Sequence, residues 1–139
     1  MILYHALWTL AVLCCLPALP FRGRLRRRIA PTLPARVPRP GGYWVHALSV
    51  GEVLSAAPLV RRLKEDHPGR PRVLTVTTEQ GWEVARRELG RDADLMLPMP
   101  LDFWPAYRRL ARFLRPALYV PVETDLWPGL IRHLRGRGV

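Results

Sequence analysis

The chain has 139 residues, of which 49% are hydrophobic, so it is long enough to form one domain with a packed core. Its 22 basic and 11 acidic residues give a formal net charge of +11, which favours polyanionic partners such as phospholipid, phosphorylated glycolipid or nucleic acid. Cys14 and Cys15 are adjacent within an apolar run, a pattern that offers neither a disulfide framework nor zinc-ligand spacing. We therefore predict no metal site.

The excess positive charge is concentrated near the start of the chain. No acidic residue precedes Glu52, whereas residues 22–39 contain seven arginines. This distribution argues against a nucleic-acid surface spread over a folded domain, and the sequence contains no recognisable base-stacking or groove-reading element. We expect no nucleic-acid partner.

The first predicted element is a membrane-anchor helix at residues 2–20. Its sequence is almost wholly apolar and approaches the roughly 20 residues that a helix needs to cross a bilayer. Basic residues follow this run instead of preceding it, which disfavours a cleavable signal peptide. A buried or surface-lying helix that ends at Pro17 or Pro20 is the alternative interpretation.

The basic run after the anchor predicts which way the domain faces. Basic residues collect on the cytoplasmic side of a membrane span, where they meet an anionic leaflet. The arginines expected at this membrane surface are Arg22, Arg24, Arg26, Arg27 and Arg28. Residues 21–42 are basic and rich in proline, which predicts a linker without regular structure.

Residues 43–139 predict a domain of four successive strand–helix units. The strands are the short apolar runs YWVHAL, VLTVTT, DLMLPMP and ALYVPVE, and a stretch with helical periodicity follows each of them. Continuous apolar strands of this kind are typical of a parallel sheet that is covered on both faces. The expected fold class is α/β, an open Rossmann-like sheet with ligands at the carboxyl ends of its strands.

Two loops at that edge contain candidate binding residues. Ser49 and Gly51 precede a helix whose first amides could bind a phosphate or carboxylate, but Ser49 could equally cap the helix and Gly51 make the turn. Glu52 is ambiguous in the same way, because the helix dipole favours an acid there. Thr78 lies in the loop after the second strand.

A third loop, after the fourth strand, contains Glu123 and Asp125. A carboxylate behind a buried strand can be partly desolvated, which would raise its pKa and suit it to proton transfer or hydroxyl binding. Capping is the alternative for Glu123, and Asp125 is interpreted as a helix N-terminal residue. His46 is interpreted as a core histidine. Four tryptophans are interpreted as core or groove-wall residues: Trp44, Trp82, Trp104 and Trp127.

Four segments resemble, in order and spacing, the N-terminal domain of the 3-deoxy-D-manno-octulosonic acid (Kdo) transferases. They are WVHALSVGEVLSAAPLVRRL, TVTTEQGWEVA, PMPLD and ETDLWPGLIRHLRGRG. The resemblance implies a GT-B glycosyltransferase of lipid A and lipopolysaccharide core biosynthesis, at the cytoplasmic face of the inner membrane. In that family the N-terminal half binds the lipid A precursor and the C-terminal half binds the donor, CMP-Kdo. No further cofactor is implied.

The chain departs from the family pattern in two ways. It ends at Val139, inside the first half, so the donor domain is expected on a separate chain or is lacking. The family also places its catalytic glutamate in a Gly-Glu-Arg type motif between the anchor and the first strand, but residues 29–42 contain no carboxylate. On this basis the chain alone is expected to be inactive.

The resemblance assigns roles to five of the candidate residues. Glu123 matches the second acidic position of the family, and we expect it to assist catalysis. The residues expected to line an acceptor site for an anionic glycolipid are Ser49, Gly51, Glu52 and Thr78. The alternative is a membrane-bound glycolipid-binding module without catalytic activity, or a truncated remnant of the enzyme.

Overall fold

The computed structural model describes residues 2–15, 17, 23–36, 38–123 and 127–139. These residues form six helices and four strands. The helices are α1 (Ile2–Cys15), α2 (Gly23–Ile29), α3 (Val50–Asp66), α4 (Glu79–Leu89), α5 (Trp104–Leu114) and α6 (Pro128–Arg135). The strands are β1 (Tyr43–Ala47), β2 (Arg72–Val76), β3 (Leu95–Pro98) and β4 (Leu118–Pro121).

The four strands form one parallel sheet in the order β3–β2–β1–β4. In the register of β1, Val45 lies opposite Leu74 of β2 on one side and opposite Val120 of β4 on the other. Every residue of β1 and β2 is buried, as expected for strands with both faces covered. The four predicted strand–helix units and the α/β class are therefore confirmed.

The sheet has a separate core on each face, because successive residues of a strand point to opposite sides. Val45 and Leu74 pack with α3 and α4 on one face. Trp44 and Val73 pack with α5 and α6 on the other. All four side chains are at most 4% exposed. We call these two sides the α3–α4 layer and the α5–α6 layer.

Helix α3 begins at Val50, three residues before Val53, where the apolar pattern of this segment starts in the sequence. Ser49 is the N-cap residue, and its hydroxyl accepts the Glu52 N–H at 3.5 Å. The Glu52 carboxylate is buried and accepts the Leu48 N–H at 2.6 Å. Because these two contacts satisfy amides at the helix start, the capping alternative explains Ser49 and Glu52 structurally.

Helix α1 covers 14 residues, and residues 16 and 18–20 of the predicted anchor lie outside the described part of the chain. Among the described residues, none of the helices combines the length and apolarity needed to cross a bilayer, so the spanning anchor is not supported. Four leucines of α1 are more than half exposed: Leu3, Leu7, Leu10 and Leu13. The helix therefore presents apolar surface outward.

The predicted linker at residues 21–42 is partly helical, since α2 lies within it. Arginine is a good helix former, which explains the helix. Pro31 disfavours helical backbone at Ala30, so α2 ends at Ile29. Arg28 fixes α2 to the sheet: its Nε donates to the Met99 carbonyl at 3.0 Å, and its own carbonyl accepts the Leu101 N–H at 3.0 Å. Arg28 is half-buried by these contacts, and its place at a membrane surface stays a prediction.

Candidate functional site

The carboxyl ends of β1 and β2 bring two predicted loops into contact. The Thr78 N–H donates to the Leu48 carbonyl at 3.0 Å. A Cβ atom at Gly81 would lie 2.8 Å from the Thr78 hydroxyl and 3.2 Å from the Ser49 carbonyl carbon. Glycine at position 81 therefore permits the close approach of the two loops, and Ser49 and Thr78 lie at one edge of the sheet as the sequence predicted.

A cavity of about 200 Å³ opens beside Thr78. Its walls come from the ends of β2 and β3, from the first turn of α4, and from α2. We call it the rim cavity, and its lining residues are Arg27, Arg28, Val76, Thr77, Thr78, Glu79, Trp82 and Pro98. Two arginines that the sequence assigned to the membrane surface thus share a cavity with a residue that it assigned to acceptor binding.

Several groups in the rim cavity are suited to an anionic or hydroxylated ligand. Thr78 caps α4 by accepting the Gly81 N–H at 3.2 Å, and the first turn of a helix carries partial positive charge. The Thr77 hydroxyl is buried and has no hydrogen-bond partner within the described residues. Arg28 also lies 5.8 Å from the ring centre of Trp127. Because Glu79 adds a carboxylate, the cavity has mixed charge and can contact both phosphate and sugar hydroxyls.

Gly51 and Glu52 do not line the rim cavity. Gly51 is exposed, and a Cβ atom there would meet nothing within 4 Å. Because its φ is not positive, the interpretation that Gly51 is needed to make the turn is wrong. The carboxylate of Glu52 is directed inward to its own helix start. Acceptor binding by Ser49, Gly51, Glu52 and Thr78 stays a prediction.

Glu123 also lies outside the rim cavity. It follows β4, and the preceding Val122 N–H donates to the His46 carbonyl at 2.8 Å. The Glu123 side chain is exposed, so the expectation of a partly desolvated carboxylate is wrong. Its φ of 62° lies in the left-handed region, which costs a non-glycine residue roughly 1–2 kcal/mol. Asp125 lies outside the described residues, and an auxiliary catalytic role for Glu123 stays a prediction.

The structure confirms the interpretation of His46 as a core residue, and it places the tryptophans in the core or in the walls of grooves. His46 is fully buried, and its Nδ1 lies 3.1 Å from the Thr75 carbonyl. Trp44 is also fully buried, whereas Trp82 lines the rim cavity. Trp104 is 43% exposed and lines a groove along α5, so it is a groove-wall and not a core residue. Within the ranges that the structure describes, no cluster of three or more histidine, cysteine, aspartate or glutamate residues could hold a metal ion.

A buried carboxylate that the sequence did not predict joins distant parts of the chain. Asp102 is 1% exposed and accepts the N–H groups of Gly129 and Leu130 at 2.7 and 2.8 Å, which caps the start of α6. Tyr4 of α1 donates to the same carboxylate. The available signal was that the side chain of Trp127, at the N-cap position of α6, has no acceptor for the first amides of the helix. A buried helix start without a local cap requires an acceptor from elsewhere.

Residues 22–139 match the sequence model of a family described as 3-deoxy-D-manno-octulosonic-acid transferase (kdotransferase). The 3-deoxy-D-manno-octulosonic acid transferase of Haemophilus influenzae is 38% identical over 119 residues, which are 86% of this chain and 28% of that protein. The transferase of Bordetella pertussis is 37% identical over 76% of this chain and 26% of its own length. That of Chlamydia pneumoniae is 28% identical over 97% of this chain and 33% of its own length. The chain thus spans about a quarter to a third of these relatives.

Proposed function

The chain belongs to the Kdo transferase family, and on that premise we propose that it supplies the acceptor side of a sugar transfer from CMP-Kdo to a lipid A precursor. The observation that carries the proposal is the rim cavity, in which two arginines of α2 face the first turn of α4. The cavity lies at the carboxyl edge of a parallel sheet, where open α/β sheets bind their ligands. The acceptor would be an anionic glycolipid.

A phosphate of the glycolipid suits the basic wall of this cavity. Arg27 is exposed and can turn its guanidinium toward a phosphate, which it can contact through two parallel hydrogen bonds. Amides in the first turn of α4 and the Thr77 hydroxyl would donate to further oxygens. Glu79, on the same wall, would accept a hydrogen bond from a sugar hydroxyl. The mixed charge of the cavity therefore fits a phosphorylated sugar better than a bare polyanion.

Glu123 would assist at the acceptor hydroxyl. Its exposure leaves the carboxylate accessible for hydrogen bonding to a sugar hydroxyl. The left-handed backbone at Glu123 costs free energy, and such conformations often occur at ligand sites. We propose that Glu123 orients the acceptor and that proton removal depends on another group.

Membrane attachment belongs to the same proposal. The exposed leucines of α1 suit a helix that lies in the membrane interface with apolar side chains toward the acyl region. The exposed Arg26 follows in α2 and would meet anionic headgroups of the cytoplasmic leaflet of the inner membrane. A lipid acceptor could then enter the rim cavity from the membrane plane.

Two neighbouring arginines test the acceptor site. Arg27→Gln removes a charge from the cavity wall, whereas Arg26→Gln removes an exposed charge from the same helix outside the cavity. A charge-assisted hydrogen bond contributes about 1.5–3 kcal/mol, so we expect Arg27→Gln to weaken binding of a lipid A precursor by about tenfold or more. Arg26→Gln should change it little. Calorimetric titration in detergent measures both, and equal losses would refute a specific role for the cavity.

A glycolipid-binding module without catalytic activity is the second candidate. It is favoured by the lack of any carboxylate in residues 29–42, where the family pattern has its glutamate. Both candidates predict no product from the chain alone, so they differ only when a chain with the C-terminal donor half of a family member is added together with lipid A precursor and CMP-Kdo. Binding without a Kdo-containing product in this mixture would support the module, and formation of that product would exclude it.

A further inference from the structure

The described residues provide no acidic partner for the arginines of α5 and α6. Residues 103–139 contain seven arginines, and their only acidic residues, Glu123 and Asp125, lie in the loop between β4 and α6. In the described part of the chain, the ion pairs connect residues between positions 61 and 94. The positive charge of α5 and α6 is therefore not neutralised by described residues of this chain.

Four residues form one surface on this layer, which we call the α5 basic face: Trp104, Arg108, Arg109 and Arg112. They line a shallow groove of about 350 Å³ along α5. Arg108 is half-buried and the other three are exposed. The guanidinium of Arg108 lies 5.2 Å from the ring centre of Trp104.

Helix α1 is attached next to this layer. Tyr4 donates to Asp102, which lies just before α5 and caps α6. This contact places the apolar helix α1 beside the starts of α5 and α6. Exposed leucines, an indole ring and arginines together are typical of a membrane-binding surface, because indole rings and long basic side chains favour the headgroup region.

We propose that the α5 basic face binds the headgroups of an anionic phospholipid bilayer and gives the domain a second membrane contact besides α1. This inference rests on the membrane attachment proposed above. Charge complementarity supports it, and the neighbouring apolar helix favours a bilayer over a nucleic acid, which offers no apolar phase. Two contacts would fix how the sheet is oriented over the membrane.

The test compares two sets of three arginines in the full chain. One variant carries Arg108→Gln, Arg109→Gln and Arg112→Gln in the α5 basic face. The matched control carries Arg86→Gln, Arg87→Gln and Arg91→Gln, which remove the same charge from exposed positions on the other layer. Sedimentation with vesicles of phosphatidylcholine, with or without phosphatidylglycerol, measures membrane affinity.

A basic residue at an anionic surface contributes about 1 kcal/mol, so the α5 variant should bind phosphatidylglycerol vesicles about 100-fold more weakly than the wild type. The control should lose no more than about threefold, because charges beyond a Debye length of about 8 Å are screened. Lysine at the same three positions of α5 should retain most of the binding. Thermal unfolding checks that all variants are folded, as their surface positions lead us to expect.

Several results would overturn the proposal. They are equal losses in the two glutamine variants, equal binding to vesicles with and without phosphatidylglycerol, and an α5 variant that loses affinity for RNA or DNA but keeps it for vesicles. Vesicles with brominated acyl chains add an independent readout, since Trp104→Phe should remove part of the tryptophan quenching. Binding of lipid A precursor in detergent should be unchanged in the α5 variant, which separates this surface from the rim cavity.

Discussion

The two helical layers cover the same sheet but use charge differently. Residues 50–94, which include α3 and α4, contain eight acidic and eight basic residues. The Asp92 carboxylate forms ion pairs with Lys64 Nζ at 2.9 Å and with Arg61 Nε at 3.4 Å. The α5–α6 layer has its buried carboxylate, Asp102, directed inward to a helix start while its arginines face outward. In the first layer charge is neutralised within the protein, whereas in the second it remains available to a partner.

The largest effect is expected from Asp102→Ala. The substitution leaves the N–H groups of Gly129 and Leu130 buried without an acceptor, and it also removes the contact to Tyr4. Each unsatisfied buried group costs about 1–3 kcal/mol, so we expect the free energy of unfolding to fall by about 3 kcal/mol. Urea unfolding at neutral pH measures the change.

Asp92→Ala is the control for this comparison. Its carboxylate is on the surface of the α3–α4 layer, 20% exposed, and exposed ion pairs contribute at most about 1 kcal/mol. We therefore expect a loss well below that of Asp102→Ala. If the two variants lose similar free energy of unfolding, the exposed ion pairs of Asp92 stabilise the protein as much as the buried hydrogen bonds of Asp102 do. The two layers would then not differ in how their carboxylates contribute to stability.

Alanine substitutions at two glycines should change the stability of the protein less than Asp102→Ala does. A Cβ atom at Gly129 would lie 2.8–3.0 Å from the Asp102 carboxylate, whereas one at Gly51 would meet nothing within 4 Å. Overpacking typically costs about 1–3 kcal/mol, so Gly129→Ala should destabilise the protein by about that amount. Gly51→Ala should be neutral or stabilising by up to about 1 kcal/mol, because alanine favours helix.

Thermal unfolding of the two alanine variants checks this order. A destabilised Gly51→Ala variant would mean that the start of α3 is packed more tightly than the structure shows. If Gly51→Ala keeps its stability but loses affinity for lipid A precursor, the predicted role of Gly51 in acceptor binding gains support, because the methyl group would then obstruct only the ligand.

The order of strands and helices could be predicted from the sequence because each strand is a continuous apolar run. Boundaries were less accurate: α3 begins earlier than its apolar pattern because Ser49 caps it. The exposure of Trp104 could not be predicted from helical spacing. Trp104 lies three positions before the buried Tyr107 and seven before the buried Ala111, so the pattern places it at the edge of the buried face of α5.

The candidate site was only partly predictable. The rule that ligands bind at the carboxyl ends of parallel strands was sufficient to select Thr78. It could not place Arg27 and Arg28 beside Thr78, because that arrangement depends on the contact between Arg28 and Met99, 71 positions apart. Short-range patterns contain no information about such a contact. The same reason explains why the contact of Asp102 with the start of α6 was missed.

The smallest expected effect is a difference in how the layers respond to acid. Burial, and then the charges of Arg137, Arg108 and Arg112, lower the pKa of His133 below its ordinary value of 6.5. The unfolded chain therefore binds more protons as the pH falls through 6.5, and stability declines until the lower pKa of the folded state is passed. The hydrogen bond from Lys64 lowers the pKa of Asp92 below 3.8, so its contribution is complete above 3.8 and is lost only in stronger acid.

We therefore expect protonation of His133, in the α5–α6 layer, to lower the free energy of unfolding at a higher pH than protonation of Asp92, in the α3–α4 layer. His133→Gln should flatten the decline in the free energy of unfolding between pH 7.5 and 5, as measured with urea, since glutamine does not titrate. Asp92→Asn should leave that interval unchanged and alter the profile only at lower pH. If His133→Gln retains the wild-type slope, the arginines of the α5 basic face do not disfavour a charge at His133.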